Sequence, residues 1–483
     1  MNLRRKTISS LIWAFFFTFV GRSGNFITTL VLAKLLTTDV FGIIALCMLF
    51  LEVLSLFRDA GYSQALIHWQ GELKSAAGVA LFIMMIIGSI LFGIGYILAP
   101  FFAAFFRTPE IITAFRVLSL NLIITSAGMI PAALLEKELL FQKKVYAETI
   151  PVFVYAIVAI GLAWLGWDVW SIVYAAVIKE LLQTTLLWIS LTWKPVPKFD
   201  LKLAVELFRF GKFVMGSGFT IFLFHNIDYM VIGRLLGNHA LGVYTFGYRL
   251  ANFPALNITS VVGKVMFPAY AQLQNDRLAL LRSYLKVVLW VSILAFPLSW
   301  GLMVFGHSFL TVFYGDKWLE AVPVLQVLAF YGLFRSFGMT TGSIYMAIGK
   351  PHWLLRISIL QLMVMFILIY PLIISYGITG VAIAGTVAMG FGIIMAVYVA
   401  GRLIDISFKA YGQRVLLPAV LSLSLVLASY YGFAFVSPHS GMLLFIEQIV
   451  FCLISYPVIL YIINPFDLTT DVISIFQLRG LTQ

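Results

Sequence analysis

Eight ionisable side chains fall inside stretches of this sequence that are otherwise apolar. Five are cationic, Arg22, Arg116, Lys179, Arg249 and Arg335; three are acidic, Glu52, Glu180 and Asp228. Facing hydrocarbon, each would cost at least ~2.5–3.5 kcal/mol even on the lenient insertion scale. They must therefore face a hydrated interior, pair with opposite charge, or hold a charged ligand. Asp228 could pair with Arg249 or Arg22, and Glu180 with Arg335. Lys179 and Glu180 are neighbours, so on a helix they point about 100° apart and need not meet. Three acids cannot neutralise five bases. The surplus points to a cavity that favours an anion, with Arg22, Arg249, Arg335 and Lys179 as its candidate ligands. Arg116 is the weakest candidate, because it can reach the outer interface. Asp228, Glu52 and Glu180 are the candidates for counter-charge or ion coupling.

Other chemistry finds little support. There is no G-x-x-x-x-G-K-[ST] phosphate loop and no H-E-x-x-H pair, so neither ATP hydrolysis nor a metal centre is expected, and no cofactor is implied. Cys47 and Cys452 both sit in apolar segments without metal-ligand spacing and read as small buried hydrophobes.

The elements that must position these charges are membrane helices. The chain has 483 residues, 62% of them hydrophobic and 11% charged, against roughly 25% charged in soluble domains. Apolar stretches of about 20 residues, enough to span a bilayer, recur along it. The fold class expected is all-α and polytopic, with fourteen transmembrane helices over residues 11–33, 41–57, 75–98, 111–134, 149–166, 169–192, 213–235, 241–262, 287–305, 321–346, 354–375, 378–401, 413–434 and 443–463. The M-N-L-R-R-K start followed by an apolar run mimics a secretory signal. The run exceeds an h-region and no A-x-A site follows, so it reads as a retained first helix.

Basic residues set the orientation. The N-terminus, the loops after even-numbered helices and the tail hold 23 lysines and arginines, Arg58, Lys137, Lys264 and Arg479 among them; the opposite side holds only Lys34, Arg107, Arg234 and Lys317. Both termini are thus expected in the cytoplasm. The net charge of +12 follows from this topology and from attraction to an anionic inner leaflet. No soluble domain is large enough to offer nucleic acid a basic face.

The chain also repeats itself. K-L-L-T-T-D-V-F-G-I-I at Lys34–Ile44 parallels R-L-L-G-N-H-A-L-G-V-Y at Arg234–Tyr244, and S-A-G-M at Ser126–Met129 parallels S-F-G-M at Ser336–Met339. Helices 1–6 and 7–12 read as two six-helix lobes. Six is even, so the copies share an orientation and are related by a parallel pseudo-two-fold along the membrane normal. The expected organisation is an N-terminal lobe over 1–193, a cytoplasmic linker over 194–210, a C-terminal lobe over 211–403, and two extra helices with a tail over 404–483. The linker is either a short helix on the inner leaflet or a passive tether. Pro254, Pro297, Pro323 and Pro371 are expected to kink their helices.

L-R-R-K-T-I-S-S-L-I-W near the start, N-I-D-Y-M-V-I-G-R-L-L-G at Asn226–Gly237 and G-V-Y-T-F-G-Y-R-L-A-N-F-P at Gly242–Pro254 resemble the polysaccharide-exporter branch of the multidrug/oligosaccharidyl-lipid/polysaccharide flippase superfamily. The likeness is in particular to Wzx-type flippases of the colanic-acid and teichuronic-acid exporter group. It covers roughly residues 1–460 and rests on diffuse membrane patterns. It implies a flippase that moves an undecaprenyl-pyrophosphate-linked oligosaccharide from the inner to the outer leaflet of a bacterial plasma membrane. The implied partners are that lipid-linked oligosaccharide, membrane lipids, and a polysaccharide polymerase with its export machinery. By architectural analogy, helices 13 and 14 would border a groove for the lipid tail. Two readings compete: a cation-coupled multidrug antiporter of the same superfamily, and an integral-membrane polysaccharide polymerase or acyltransferase. The basic surplus weighs against the first, and the short outward loops and scattered histidines against the second.

Overall fold

The computed structural model describes residues 20–58, 62–69, 71–138, 140–254, 266, 270, 273–274, 276–350, 352–437 and 439–463. The start of the first expected span, the end of the eighth, Lys264 and Arg479 lie outside the described residues. Those described are almost wholly helical: α1 (20–35), α2 (Thr38–Arg58), α3 (Tyr62–His68), α4 (Leu73–Phe106), α5 (Ile111–Lys137), α6 (Phe141–Trp164), α7 (Asp168–Ser190), α8 (Leu201–Leu235), α9 (Gly237–Pro254), α10 (Arg277–Tyr314), α11 (Ala321–Ala347), α12 (His352–Ile404), α13 (Phe408–Val436) and α14 (Met442–Ile463). By length and composition, ten of the described helices can cross a membrane.

One of the ten, α12, is two helices in antiparallel array. Gly377 breaks it with φ 56° and ψ −134°, a conformation that only glycine adopts cheaply. A Cβ at Gly380 would meet the Leu372 carbonyl, and Gln361 Nε2 reaches the Met389 sulfur at 3.5 Å. Both contacts pair residues equidistant from about position 376, as a hairpin requires. The sequence divides the same stretch into spans ending at 375 and beginning at 378.

The chain forms two compact units, Met1–Phe253 with His352–Gly392, and Pro254–Pro351 with Ile393–Gln483. In the first, α5 packs on α4 and α7, and α6 on α7. At one end of this unit, α3 is held by Lys137, whose ammonium donates to the carbonyls of Leu66, Ile67 and Trp69 at 3.1, 2.8 and 2.5 Å. That is a cation on the orphan carbonyls of a helix C-terminus. Beside it the linker is docked: the Lys198 amide donates to the Gly78 carbonyl at 3.2 Å, and a Cβ at Gly78 would strike the Val196 carbonyl. Asp200 then caps α8 through the Leu203 amide at 3.1 Å. Residues 201–210 are consequently the first turns of α8, continuous with the seventh span rather than a separate surface helix.

At the α1–α2 and α8–α9 junctions the internal repeat meets itself. A Cβ on Gly42 would collide with the Asn238 carbonyl, and one on Gly242 with the Thr38 carbonyl. Residues 38 and 238, and 42 and 242, are the matched positions of the repeated stretch. Thr38 Oγ1 bonds His239 Nδ1 at 2.8 Å, and Thr108 Oγ1 donates to Asn238 Oδ1 at 2.9 Å.

In the second unit, α10 packs on α11 and α13, with α14 alongside. Pro297 in mid-α10 cannot donate to the Ile293 carbonyl four residues back. Tyr456 of α14 donates its hydroxyl to that carbonyl at 3.0 Å, so the bond lost at the proline docks a neighbouring helix. Pro323 lies in the first turn of α11, where no helical N–H bond is lost, and it is not a mid-helix kink.

Candidate functional site

Within the first unit a polar cavity of about 410 Å³ opens between α1, α2, α5, α6, α7 and α9. Arg58, Lys179 and Arg249 line it, with Glu180 as the single acid among the described lining residues. The lining thus carries a formal surplus of two positive charges. Two helical pairs fix the arginines. Asn25 and Thr29 are i and i+4 on α1, as are Asn121 and Thr125 on α5, so each pair shares one helix face. Each threonine hydroxyl donates to the carbonyl of its asparagine, Thr29 to Asn25 at 2.9 Å and Thr125 to Asn121. Each oxygen then accepts from an arginine: Thr29 from Arg249 Nη1 at 3.5 Å, and Thr125 from Arg58 Nη1. Both guanidinium groups are thus oriented by threonine hydroxyls. Asn121 Oδ1 is a buried acceptor with no hydrogen-bond partner; turning this amide over presents a donor instead.

Lys179 and Glu180, which need not meet, do meet: Nζ lies 3.0 Å from Oε1, with both side chains about a quarter exposed. The face of α7 that carries Glu180 rests on α5. One turn on, Thr184 donates to the Ile124 carbonyl at 3.0 Å, and a further turn on Trp188 Nε1 donates to the Ala127 carbonyl at 2.9 Å. Stepping this register back one turn sets Glu180 level with Asn121.

Of the candidates from sequence, the structure brings Lys179, Glu180 and Arg249 together. Arg22 does not line the cavity, but it sits three and seven residues before Asn25 and Thr29 on their face of α1, nearer the helix start. Arg335 lies on α11 in the other unit. Asp228 is buried and accepts from the Tyr244 hydroxyl at 2.7 Å and the Tyr229 amide at 2.9 Å, inside a cluster of Tyr229, Tyr244 and Tyr248 rings. Glu52 is exposed and hydrogen-bonds Asn226. Arg116 donates to the Tyr96 carbonyl at 3.3 Å and lies over its ring, away from the cavity. Arg58, counted from sequence as a loop cation, is the cavity-lining cation that reading missed. The repeated N-x-x-x-T spacing was the available signal. Among the described residues no cluster of His, Cys, Asp or Glu could hold a metal ion.

The second unit contains a different kind of hollow. A groove of about 810 Å³ runs between α10, α13 and α14, lined by Leu294, Leu298, Gly301, Phe305, Val426, Phe445, Leu453 and other almost entirely apolar residues.

Residues 31–323 match the family model described as "Polysaccharide biosynthesis protein". The chain is 27% identical over 397 residues to the teichuronic acid biosynthesis protein TuaB of Bacillus subtilis (strain 168), covering 80% of each chain. It is 25% identical over 441 residues to the lipopolysaccharide biosynthesis protein WzxC of Escherichia coli (strain K12), covering 89% of this chain and 88% of that one. Among solved structures, lipid II flippase MurJ in an inward closed conformation superposes with a TM-score of 0.77 at 16% identity, over 94% of this chain and 99% of that one. An inward-facing MATE-family multidrug transporter of the MOP superfamily superposes with a TM-score of 0.61 at 17% identity, over 80% and 95%. At those identities the two structures establish the fold alone.

Proposed function

The chain belongs to the polysaccharide biosynthesis protein family, and from that membership we propose that it is a flippase for an undecaprenyl-pyrophosphate-linked oligosaccharide. It carries this lipid from the inner to the outer leaflet of a bacterial plasma membrane, for exopolysaccharide or lipopolysaccharide assembly. The observation that carries the reading is the cavity of Arg58, Lys179 and Arg249. Its surplus of two positive charges matches a pyrophosphate diester, a compact dianion that cannot cross hydrocarbon unaided. Guanidinium groups bind such oxygens as planar forks. Arg22, on the same face of α1, would meet the headgroup as it enters, and Arg335 is retained as a further candidate ligand.

The apolar groove supports the rest of the substrate. It would offer the polyprenyl tail a path between α10, α13 and α14. The sugars would travel in the wetter lumen. The reading takes the chain as fourteen spans with both termini cytoplasmic, α12 counting as two. Lobes over 1–193 and 211–403 rock against each other so that the site opens to one side at a time. The reciprocal contacts of Gly42 and Gly242 support that pseudo-symmetry. Substrate moves the equilibrium only through its different affinity for the two states. Asp228, Glu52 and Glu180 are the residues at which a cation gradient could add direction. Delivery would be to a polymerase and its export machinery, and the chain itself is a transporter without catalytic residues.

A multidrug antiporter is the second reading, favoured by the fold shared with MATE transporters. An organic cation would meet the wrong charge in this cavity. Deleting the gene separates the two. We expect a pyrophosphate-linked oligosaccharide to accumulate on the inner leaflet. An unchanged pool of lipid-linked glycans, with new sensitivity to cationic dyes, would overturn the proposal.

A further inference from the structure

Where the internal repeat meets itself, the two helix starts are tied as well as packed. Thr38 and Asp39 begin α2, and Asn238 and His239 begin α9. Thr38 Oγ1 lies 2.8 Å from His239 Nδ1, an Asp39 carboxylate oxygen lies 3.9 Å from the same nitrogen, and Thr108 Oγ1 donates to Asn238 Oδ1 at 2.9 Å. The polar cavity begins further along both helices. Met48 on α2 and Arg249 on α9 line it, each about ten residues, roughly 15 Å, beyond these ties. The stretch between is packed with buried Val40, Phe41, Leu241 and Phe246, the two phenylalanine rings meeting edge to face at 6.2 Å. Cargo leaving the cavity by this end must first part the starts of α2 and α9. His239 is the part of the tie that titrates between pH 5 and 8. Neutral, its Nδ1 shares one hydrogen bond with the Thr38 hydroxyl; charged, it keeps that bond as donor and gains the attraction of Asp39. The other charged groups on the element ends gathered here are Lys34 on α1, Arg107 and Glu110 at the α4–α5 turn, and Arg234 on α8, which lies over the Phe105 ring at 5.1 Å.

We propose that Thr38, Asp39 and His239 form an exit latch that a proton on His239 tightens, so that acid on that side holds the door shut. That the latch is an exit rests on the flippase reading; that a proton tightens it does not. His239 is a positioning residue, acting on two helix ends rather than on the cargo. His239 and Asp39 are both about half exposed, so water screens the pair, and the gain is up to about fivefold in the ratio of closed to open latch.

The test uses the full chain, with Cys47 and Cys452 replaced by Ala, in proteoliposomes at low salt. Nitroxide labels on Thr37→Cys and Leu236→Cys, both exposed beside the latch, report its closed-to-open ratio through their dipolar coupling, with no cargo present. From about pH 8 to about pH 5 we expect the ratio to rise by roughly twofold to fivefold, and the rise to shrink at high salt. His239→Gln, whose amide can still bond Thr38, should show no rise. Asp39→Asn should lose most of it, and serves if the first variant fails to fold. No rise in the parent protein, a rise that survives both substitutions, or acid that parts the labels, as the neighbouring cations acting alone would make it, would overturn the inference. Transport of a radiolabelled short-chain prenyl pyrophosphate bearing one sugar is read beside it, and should slow by a similar factor in acid for the parent protein but not for His239→Gln. Transport indifferent to a latch that tightens would overturn its role as the exit. A latch that tightens in a protein that moves no probe at any pH would instead remove the flippase reading and leave the proton-tightened tie standing.

Discussion

Arg249 and Arg58 illustrate how little a residue's type says without its neighbours. Each is held by a threonine whose hydroxyl is itself anchored to an asparagine carbonyl four residues back. Replacing Arg249 or Arg22 by Ala should abolish export while leaving membrane insertion intact, as read by complementation beside protein level in the membrane. Lys should restore part of the activity, since the charge survives and the fork does not. Thr125→Val should do less than Arg58→Ala, because it loses orientation rather than charge; one hydrogen bond to a charged group is worth about 1.5–3 kcal/mol, a loss of roughly tenfold to a hundredfold. Lys179, Glu180 and Arg249 were legible in the sequence because hydrocarbon penalises charge wherever it falls in a span. Arg58 was not. At the last residue of α2 a cation can turn to water or into the bundle at similar cost, and only tertiary packing decides. The partner of Glu180 was likewise closed to sequence, where helical geometry left a bond to its own neighbour optional and Arg335 was the partner expected.

At the scale of elements, three small devices keep helices in place, and each has a specific failure. Tyr456 accepts the task of satisfying the Ile293 carbonyl that Pro297 leaves bare. Tyr456→Phe should lower thermal stability by about 1–3 kcal/mol, the cost of an orphaned buried acceptor, measured by unfolding of detergent-purified protein, while Pro297→Ala/Tyr456→Phe should recover most of it. Lys137 ends α3 with three charge-assisted bonds, and Lys137→Met should raise protease cleavage near residue 69 without altering the spans. Gly42→Leu drives a side chain into the Asn238 carbonyl and should part the α2 and α9 ends, read as faster thiol labelling of a cysteine placed at position 238. The ten helices able to cross a membrane were readable from hydropathy, and the break in α12 at Gly377 falls between the two spans expected to end at 375 and begin at 378. The docking of the linker was not, because it depends on a carbonyl at Gly78 more than a hundred residues away.

For the whole molecule, the account divides the substrate between two environments: a polar cavity for the charged headgroup and an apolar groove for the tail. Gly301 lines the groove with open space beyond its Cα. Gly301→Trp should therefore block transport of long-chain substrates and spare short-chain ones, whereas equal loss of both would place the tail elsewhere. The all-helical membrane fold and the basic surplus among the charges within it could be read from the chain. The floor of the cavity could not, since six helices contribute to it and no two of its cations are close in sequence. The most direct test is equilibrium binding of farnesyl pyrophosphate, farnesyl monophosphate and farnesol to the purified full-length protein and to its Arg58→Ala and Arg249→Ala variants. The account predicts pyrophosphate tighter than monophosphate, farnesol weakest, and a loss of at least about tenfold in pyrophosphate affinity for either variant. Equal affinity for the three ligands, or pyrophosphate binding untouched by both substitutions, would contradict it.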